Sequence, residues 1–386
     1  MIGFFGLAFA HLISSSSALA WDQHQAMIDR FLASPLAESR DYLSRAVSIP
    51  CQEEEFRYLE SLATRIHIRA EAVPLLSKHS CRAKLRQNMT VSELLKSGLV
   101  DEPDLGMDQD LPEAADPEGY RKWMGGIRGP TSQGFRHMMF PGMEWFSPLQ
   151  TFQLPVSRVG EAFKRIEVLG READEAFRSG DLFWGLRITM WREHFLQDLF
   201  QPFHTTQVPS LRMVPWSSLF SGLVRRTTHA ISNYHYAYEG MILEWMRSLS
   251  SDSEHCFLPS EIRPFTNEVE FSKTPRRSAG ALGAALYSVL GDEMKSEEID
   301  LPNGKGSLDY YLLLNAHQEE STPEGLSQLA PKERKAYMRS GERVVAMRQV
   351  KKVTCELIRE VSSGFWGDLD RALQGPATSN SSKTGK

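Results

Sequence analysis

Between Trp191 and Gln207 the chain reads WREHFLQDLFQPFHTTQ, with His194 and Asp198 four residues apart and His204 beyond a proline. On a helix that spacing puts the first two side chains on one face. Pro202 ends or kinks the helix, so the turned chain can deliver His204 back toward them. Imidazole nitrogen and carboxylate oxygen together suit borderline divalent metal ions. A His and an Asp one turn apart also arise by chance, most often on a solvated face or joined by a hydrogen bond. The run HAISNYHYAYEGMILEW repeats the spacing with His235 and Glu239 in an apolar and aromatic surround. A carboxylate there is costly unless paired or metal-bound, and a buried His235–Glu239 ion pair is the alternative. Asp116 and His137, from an irregular stretch rich in Pro and Gly, add to the same chemistry. Two such pairs with His204, Asp116 and His137 in one chain tip the reading toward metal.

Taken in order, these residues resemble a known family. Trp21 after a small-residue cleavage pattern, Asp116 and His137 from a loop, HFLQDLFQPFH (His194, Asp198, His204) and NYHYAYE (Asn233, His235, Glu239) are similar to the zinc-dependent phospholipase C and single-strand-specific nuclease family. The resemblance runs from residue 21 to about 245. It implies an all-α fold around three zinc ions. One zinc would take Asp116, His137, His194 and the bridging Asp198; a second would take His204, His235 and Glu239. The third would take the amine and carbonyl oxygen of Trp21, the shared Asp198 and a His near the terminus. His24 is the candidate for that last place, although it stands closer to Trp21 than the family's own His, and a solvent-exposed His24 is the alternative. His229 is a spare candidate that reads better as a helix-surface residue.

The implied reaction is metal-assisted hydrolysis of a phosphoester through a zinc-bridged hydroxide, with the third ion neutralising charge in the transition state. Asp116, placed to orient or deprotonate the attacking water, and Asp198, holding two ions together, are the expected catalytic residues. Glu239, where the nuclease branch tends to carry Asp, is more like the phospholipase branch. The expected substrate is therefore a phospholipid or other phosphodiester, with transient membrane-surface contact and no stable nucleic-acid complex. A single-strand-specific nuclease of the same fold is one alternative, and a non-catalytic exported protein stapled by zinc is another. Met138 and Met139, not a base-stacking aromatic, follow His137; they suit either a lipid pocket or plain core packing.

The elements that must position these residues are mostly helical. The runs QAMIDRFLASPL, FRYLESLATRIHIRAEAV and residues 156–200 space their apolar residues at three and four. Further helices are expected over 217–250, 275–295, 307–319 and 330–372, giving a compact multi-helix, all-α class. The 386 residues, 41% hydrophobic and 24% charged with a net charge of -5, describe an ordinary globular chain with no polybasic track for a nucleic-acid backbone. Bound metal would add positive charge that this count ignores.

We read one phosphoesterase domain over 21–370 with an insertion over about 30–110, and a polar, disordered tail over 371–386. The stretch from Leu99 to Gly142 is too long for a connector, and its Asp116 and His137 argue for function. Residues 1–20 form a short apolar run closing on Ala18-Leu19-Ala20, the pattern of a signal peptide, which implies a secreted or periplasmic protein beginning at Trp21. No Lys or Arg precedes that run, so a buried N-terminal helix is the alternative. Cys51, Cys81, Cys256 and Cys355 fit two disulfides, paired in sequence order, or four buried thiols.

Overall fold

In a computed structural model the described residues are 24–66, 73–77, 87–103, 137–140, 160, 162–218, 222–248, 255–265, 268–299, 301 and 340–374. The chain folds mostly as helices, in keeping with the all-α expectation. Helix α1 (His24–Ala33) buries His24, Met27, Ile28, Phe31 and Leu32, a single stripe at helical spacing. A one-turn helix α2 (Pro35–Glu38) follows it. The region expected as an insertion then supplies α3 (Gln52–Ile66), α4 (Val73–Leu76) and α5 (Val91–Leu95). It also supplies an element that helical periodicity does not predict. Strands β1 (Ala46–Ile49) and β2 (Gln87–Thr90) pair antiparallel, with Val47 opposite Met89. Thr90 ends β2 and caps α5, its hydroxyl accepting from the Glu93 amide while the Glu93 carboxylate accepts from the Thr90 amide.

This region is not an appendage. Leu59, Leu62, Leu76, Val91, Leu94 and Val100 share one hydrophobic core with the helices that follow. Those begin with α6 (Ala162–Arg178) and α7 (Leu182–Phe200), which pack on each other as a helical hairpin. The sequence reads as one continuous helical pattern over 156–200, but the chain turns at Gly180. Its φ of +81° terminates α6, and the Asp181 side chain accepts from the Trp184 amide to start α7. From Phe183 to Phe200 every residue of α7 except Arg192 is buried, so α7 is the central helix.

A one-turn helix α8 (Pro202–Thr205) follows, then α9 (Leu223–Ser248), α10 (Glu268–Leu290) and α11 (Ser340–Gln374). Helix α10 starts about two turns before the expected boundary and carries Pro275 inside it. Helix α11 runs through residues assigned to the tail and buries Leu373, because the apolar stripe continues to that position. Helices α10 and α11 pack together against α7. The helix expected over 307–319 lies outside the described residues, as do the signal segment and the tail beyond 374.

Cys256 and Cys355 form the expected disulfide, across a sequence separation of 99. Cys51 is disulfide-bonded as well; its expected partner Cys81 lies outside the described residues. Closing so long a loop restricts the unfolded chain strongly, so replacing Cys256 and Cys355 by Ala should lower stability by about 2–4 kcal/mol. Urea unfolding of the double variant checks this, and an unchanged midpoint would show that the bond constrains nothing.

Candidate metal centre

Asp198 lies fully buried on α7, and four imidazoles surround its carboxylate. Its Oδ2 stands 2.5 Å from His137 Nδ1 and 3.5 Å from His194 Nε2, one turn back on the same helix. Its Oδ1 faces His24 Nε2 at 3.5 Å and His204 Nδ1 at 3.6 Å. His204 in turn approaches a second group: its Nε2 is 3.2 Å from His235 Nε2 and 3.7 Å from Glu239 Oε1. His235 Nε2 and Glu239 Oε1, one turn apart on α9, are 2.7 Å apart. Seven residues singled out in the sequence, His194, Asp198, His204, His235 and Glu239 by spacing, His137 by its segment and His24 by the resemblance, therefore converge on one buried site. Trp21 and Asp116 lie outside the described residues.

Local structure explains the convergence. Pro202 cannot continue α7, and Gln201 caps the new turn by accepting from the Phe203 amide. The turn aims His204 across the end of α7. The segment 137–140 lies alongside it: Met139 N donates to His204 O at 2.8 Å, and His204 Nδ1 donates to His137 O at 3.0 Å. Gly160, at a φ of +107°, backs this segment so closely that a Cβ there would meet Met138 O at 2.1 Å. Only glycine lets the His137 segment sit where it does. Met139 packs into the hydrophobic core and not into an open groove.

The ring tautomers follow from these partners. His194 Nδ1 lies 2.8 Å from Val100 O and His204 Nδ1 lies 3.0 Å from His137 O. A carbonyl can only accept, so both rings donate from Nδ1 and keep a lone pair on Nε2. That is the arrangement of a metal-ligating His whose second nitrogen is held by a carbonyl. The Nε2 lone pairs of His194 and His204 face His137 Nδ1 at 3.0 Å and His235 Nε2 at 3.2 Å, and either a ring N–H or a cation must lie between such nitrogens. His24, His194 and Asp198 form one cluster whose ligand atoms lie within 4.8 Å of one another, and His204, His235 and Glu239 form another. Both are made of His and carboxylate, without the cysteines of a closed structural site. The buried His24 Nε2 has no hydrogen-bond partner and faces Asp198. The donor set therefore fits zinc. His255, Cys256 and Cys355 form a third cluster of potential ligands, but both sulfurs are spent in the disulfide.

Burial controls the charges. Desolvation drops the His24 pKa to about 3 and holds His194 well below the ordinary imidazole value, so both rings stay neutral as ligands must be. Burial alone would raise the Glu239 carboxyl, but His235 and His204 beside it prevail and hold it at about 2. These shifts share one sign. As pH falls from the ordinary imidazole value of 6.5 toward 3, the unfolded chain takes protons that His24 refuses. Below 4.5 the same applies to Glu239. The buried Glu193 carboxyl, raised by desolvation to about 8, works the other way between 8 and 4.5, but His24 and His194 together outweigh it, so the metal-free protein should lose stability on acidification below 6.5. Thermal melts across that range test this, and a flat profile would rule out neutral buried imidazoles.

Spacing alone did not single out Gln197 and Gln201. Gln197 Oε1 lies 2.9 Å from His24 Nδ1, and Gln201 Nε2 donates to Glu239 Oε1 at 3.1 Å. The signal was nonetheless present: His194, Gln197 and Asp198 on the helix, with Gln201 at its C-cap, form a polar stripe at helical spacing among buried apolar residues. Asn233, part of the resemblance, stands apart from the site. Its amide donates to Met294 O and Ile299 O and accepts from the Leu301 amide, pinning these three residues to α9. His229 Nε2 bonds Ile299 O at 2.7 Å, which agrees with its reading as a non-ligand. No family model, curated protein or solved structure matches this chain.

Proposed function

We propose that this protein is an exported, zinc-dependent phosphodiesterase of the phospholipase C type. The observation that carries the reading is the meeting of two buried His and carboxylate clusters at one site, with Asp198 between four imidazoles. Asp198 and His194 would serve an ion together with His137 and Asp116. His204, His235 and Glu239 would hold a second, and His24 and Trp21 would share Asp198 for a third. Zinc bound there would supply Lewis acidity, lowering the pKa of water and neutralising charge on a phosphoryl group. The chain's own part is to keep His24 and His194 neutral, to fix the Nε2 lone pairs of His194 and His204 by carbonyls at Nδ1, and to exclude bulk solvent behind them. The disulfide between Cys256 and Cys355 agrees with export to an oxidising compartment.

The choice of a phospholipid over single-stranded DNA rests on Glu239, on the acidic net charge and on the lack of an aromatic directly after His137. Phe140, the nearest aromatic on the described part of that segment, is buried and cannot stack a base. Metal analysis of the mature chain should find three zinc ions. Initial rates should be higher on phosphatidylcholine and a chromogenic phosphocholine ester than on denatured DNA at equal phosphodiester concentration. A faster rate on DNA would transfer the assignment to a nuclease and leave the reaction class standing. Zinc without hydrolysis of any of the three would leave a stapled, non-catalytic protein.

A further inference from the structure

The three histidines nearest Asp198 on α1, α7 and α8 are held from behind in two different ways. His194 and His204 present Nδ1 to backbone carbonyls of Val100 and His137, which no side-chain substitution can remove. His24 presents Nδ1 to a side chain, the amide oxygen of Gln197, at 2.9 Å. Both residues are fully buried, and Gln197 is the immediate neighbour of Asp198 on α7. If Gln197 Oε1 accepts from Nδ1, the His24 lone pair lies on Nε2, the atom that faces Asp198 Oδ1 at 3.5 Å and has no hydrogen-bond partner. If the Gln197 amide were turned about, its NH2 would take the Nδ1 lone pair. His24 would then carry its proton on Nε2 and donate it to Asp198, and an ion would be shut out.

From this geometry we infer that Gln197 is a positioning residue that selects the His24 tautomer and so sets the affinity of the one ion that His24 serves. The inference rests on the metal reading for its consequence, but not for the tautomer itself. Of these three imidazoles, His194 and His204 are oriented by main-chain carbonyls, and His24 is the one whose tautomer a side chain behind it selects. An ion there can be weakened while the others stay.

The test uses the full mature chain with three substitutions. In Gln197→Leu the acceptor is gone, and one zinc of the set should bind about 10–100-fold more weakly in a competition titration with a chelator. In Gln197→Glu an acceptor is present whichever way the group turns, so that zinc should be retained at wild-type affinity or tighter. His24→Ala should lose the same ion outright, which identifies it. Nitrogen-15 spectra of the metal-free wild type should show the His24 proton on Nδ1, and those of Gln197→Leu should lose that preference. Thermal melts of the metal-free variants establish that each is folded. Unchanged affinities in a folded Gln197→Leu, equal loss in Gln197→Glu and Gln197→Leu, or a wild-type His24 protonated on Nε2 would each overturn the inference. A wild type that binds no zinc but shows the Nδ1 proton would instead overturn the metal reading and leave the tautomer assignment standing.

Discussion

Asp198→Asn should remove more than one metal ion, abolish hydrolysis and yet leave the metal-free fold intact. Both carboxylate oxygens are engaged, Oδ2 toward His137 and His194 and Oδ1 toward His24 and His204. An amide of the same shape keeps one acceptor oxygen but replaces the other by an NH2 group, which repels a cation and donates to an imidazole lone pair. The loss should therefore exceed the 10–100-fold penalty typical of removing a residue that only supports a ligand. The metal-free protein faces the opposite balance. Its Asp198 carboxylate is buried beside His24 and His194, whose rings burial keeps neutral, and an uncharged amide relieves that burial while satisfying one of their lone pairs.

The melting temperature without zinc should thus hold or rise in Asp198→Asn, while the rise produced by adding zinc should vanish. Two melts, with zinc and with chelator, read both signs on one protein. A variant that keeps three ions and the full zinc-dependent rise would reject the bridging role of Asp198. One that fails to fold without metal would show that the carboxylate serves the fold and not an ion.

Much of this site was readable from local spacing, because helix geometry converts a four-residue interval into adjacency. His194 with Asp198 and His235 with Glu239 are such intervals, and His24 falls on the buried stripe of α1 with Met27, Ile28 and Phe31. What spacing does not carry is the partner behind each ligand. Gln197 meets His24 across 173 residues and Val100 meets His194 across 94. Such pairs leave no local pattern. The ribbon of β1 and β2 escaped for a different reason. Each strand has four residues, too few for alternation to stand out, and Gln87–Thr90 is polar and only partly buried. Helix α7 is hidden in its own way: buried all round, it has no solvent face to give it amphipathicity. Its polar residues mark the site by contrast, because in such a helix each polar group needs a specific partner.

Arg187 shows how that rule joins the fold to the site, and its replacement by Met should destabilise the protein by about 3–5 kcal/mol. It lies fully buried on α7, about two turns before His194. Its Nε and one NH2 group hold the Glu102 carboxylate at 2.8 and 3.0 Å, and the other NH2 group holds Glu55 at 2.6 Å. The same guanidinium donates to Leu76 O, and Trp191 Nε1 donates to Glu102 at 2.8 Å. Met fills much of the volume, but two buried carboxylates then lose the cation between them. Lys would keep the charge without the planar fork, so Arg187→Lys should recover only part of the loss. Removing the charges together should recover more, because a buried network exchanged for neutral groups is often close to neutral in stability. The triple variant Arg187→Met, Glu55→Gln and Glu102→Gln should therefore be more stable than Arg187→Met alone. Glu102 lies two residues after Val100, whose carbonyl orients His194, so loosening Glu102 should also release that ring. Zinc affinity should fall with stability in Arg187→Met even though no ligand is changed. Urea unfolding and zinc titration of the four proteins measure both effects. A loss below about 1 kcal/mol in Arg187→Met, well under the range for a broken buried ion pair, would mean that the insertion is not anchored through this residue.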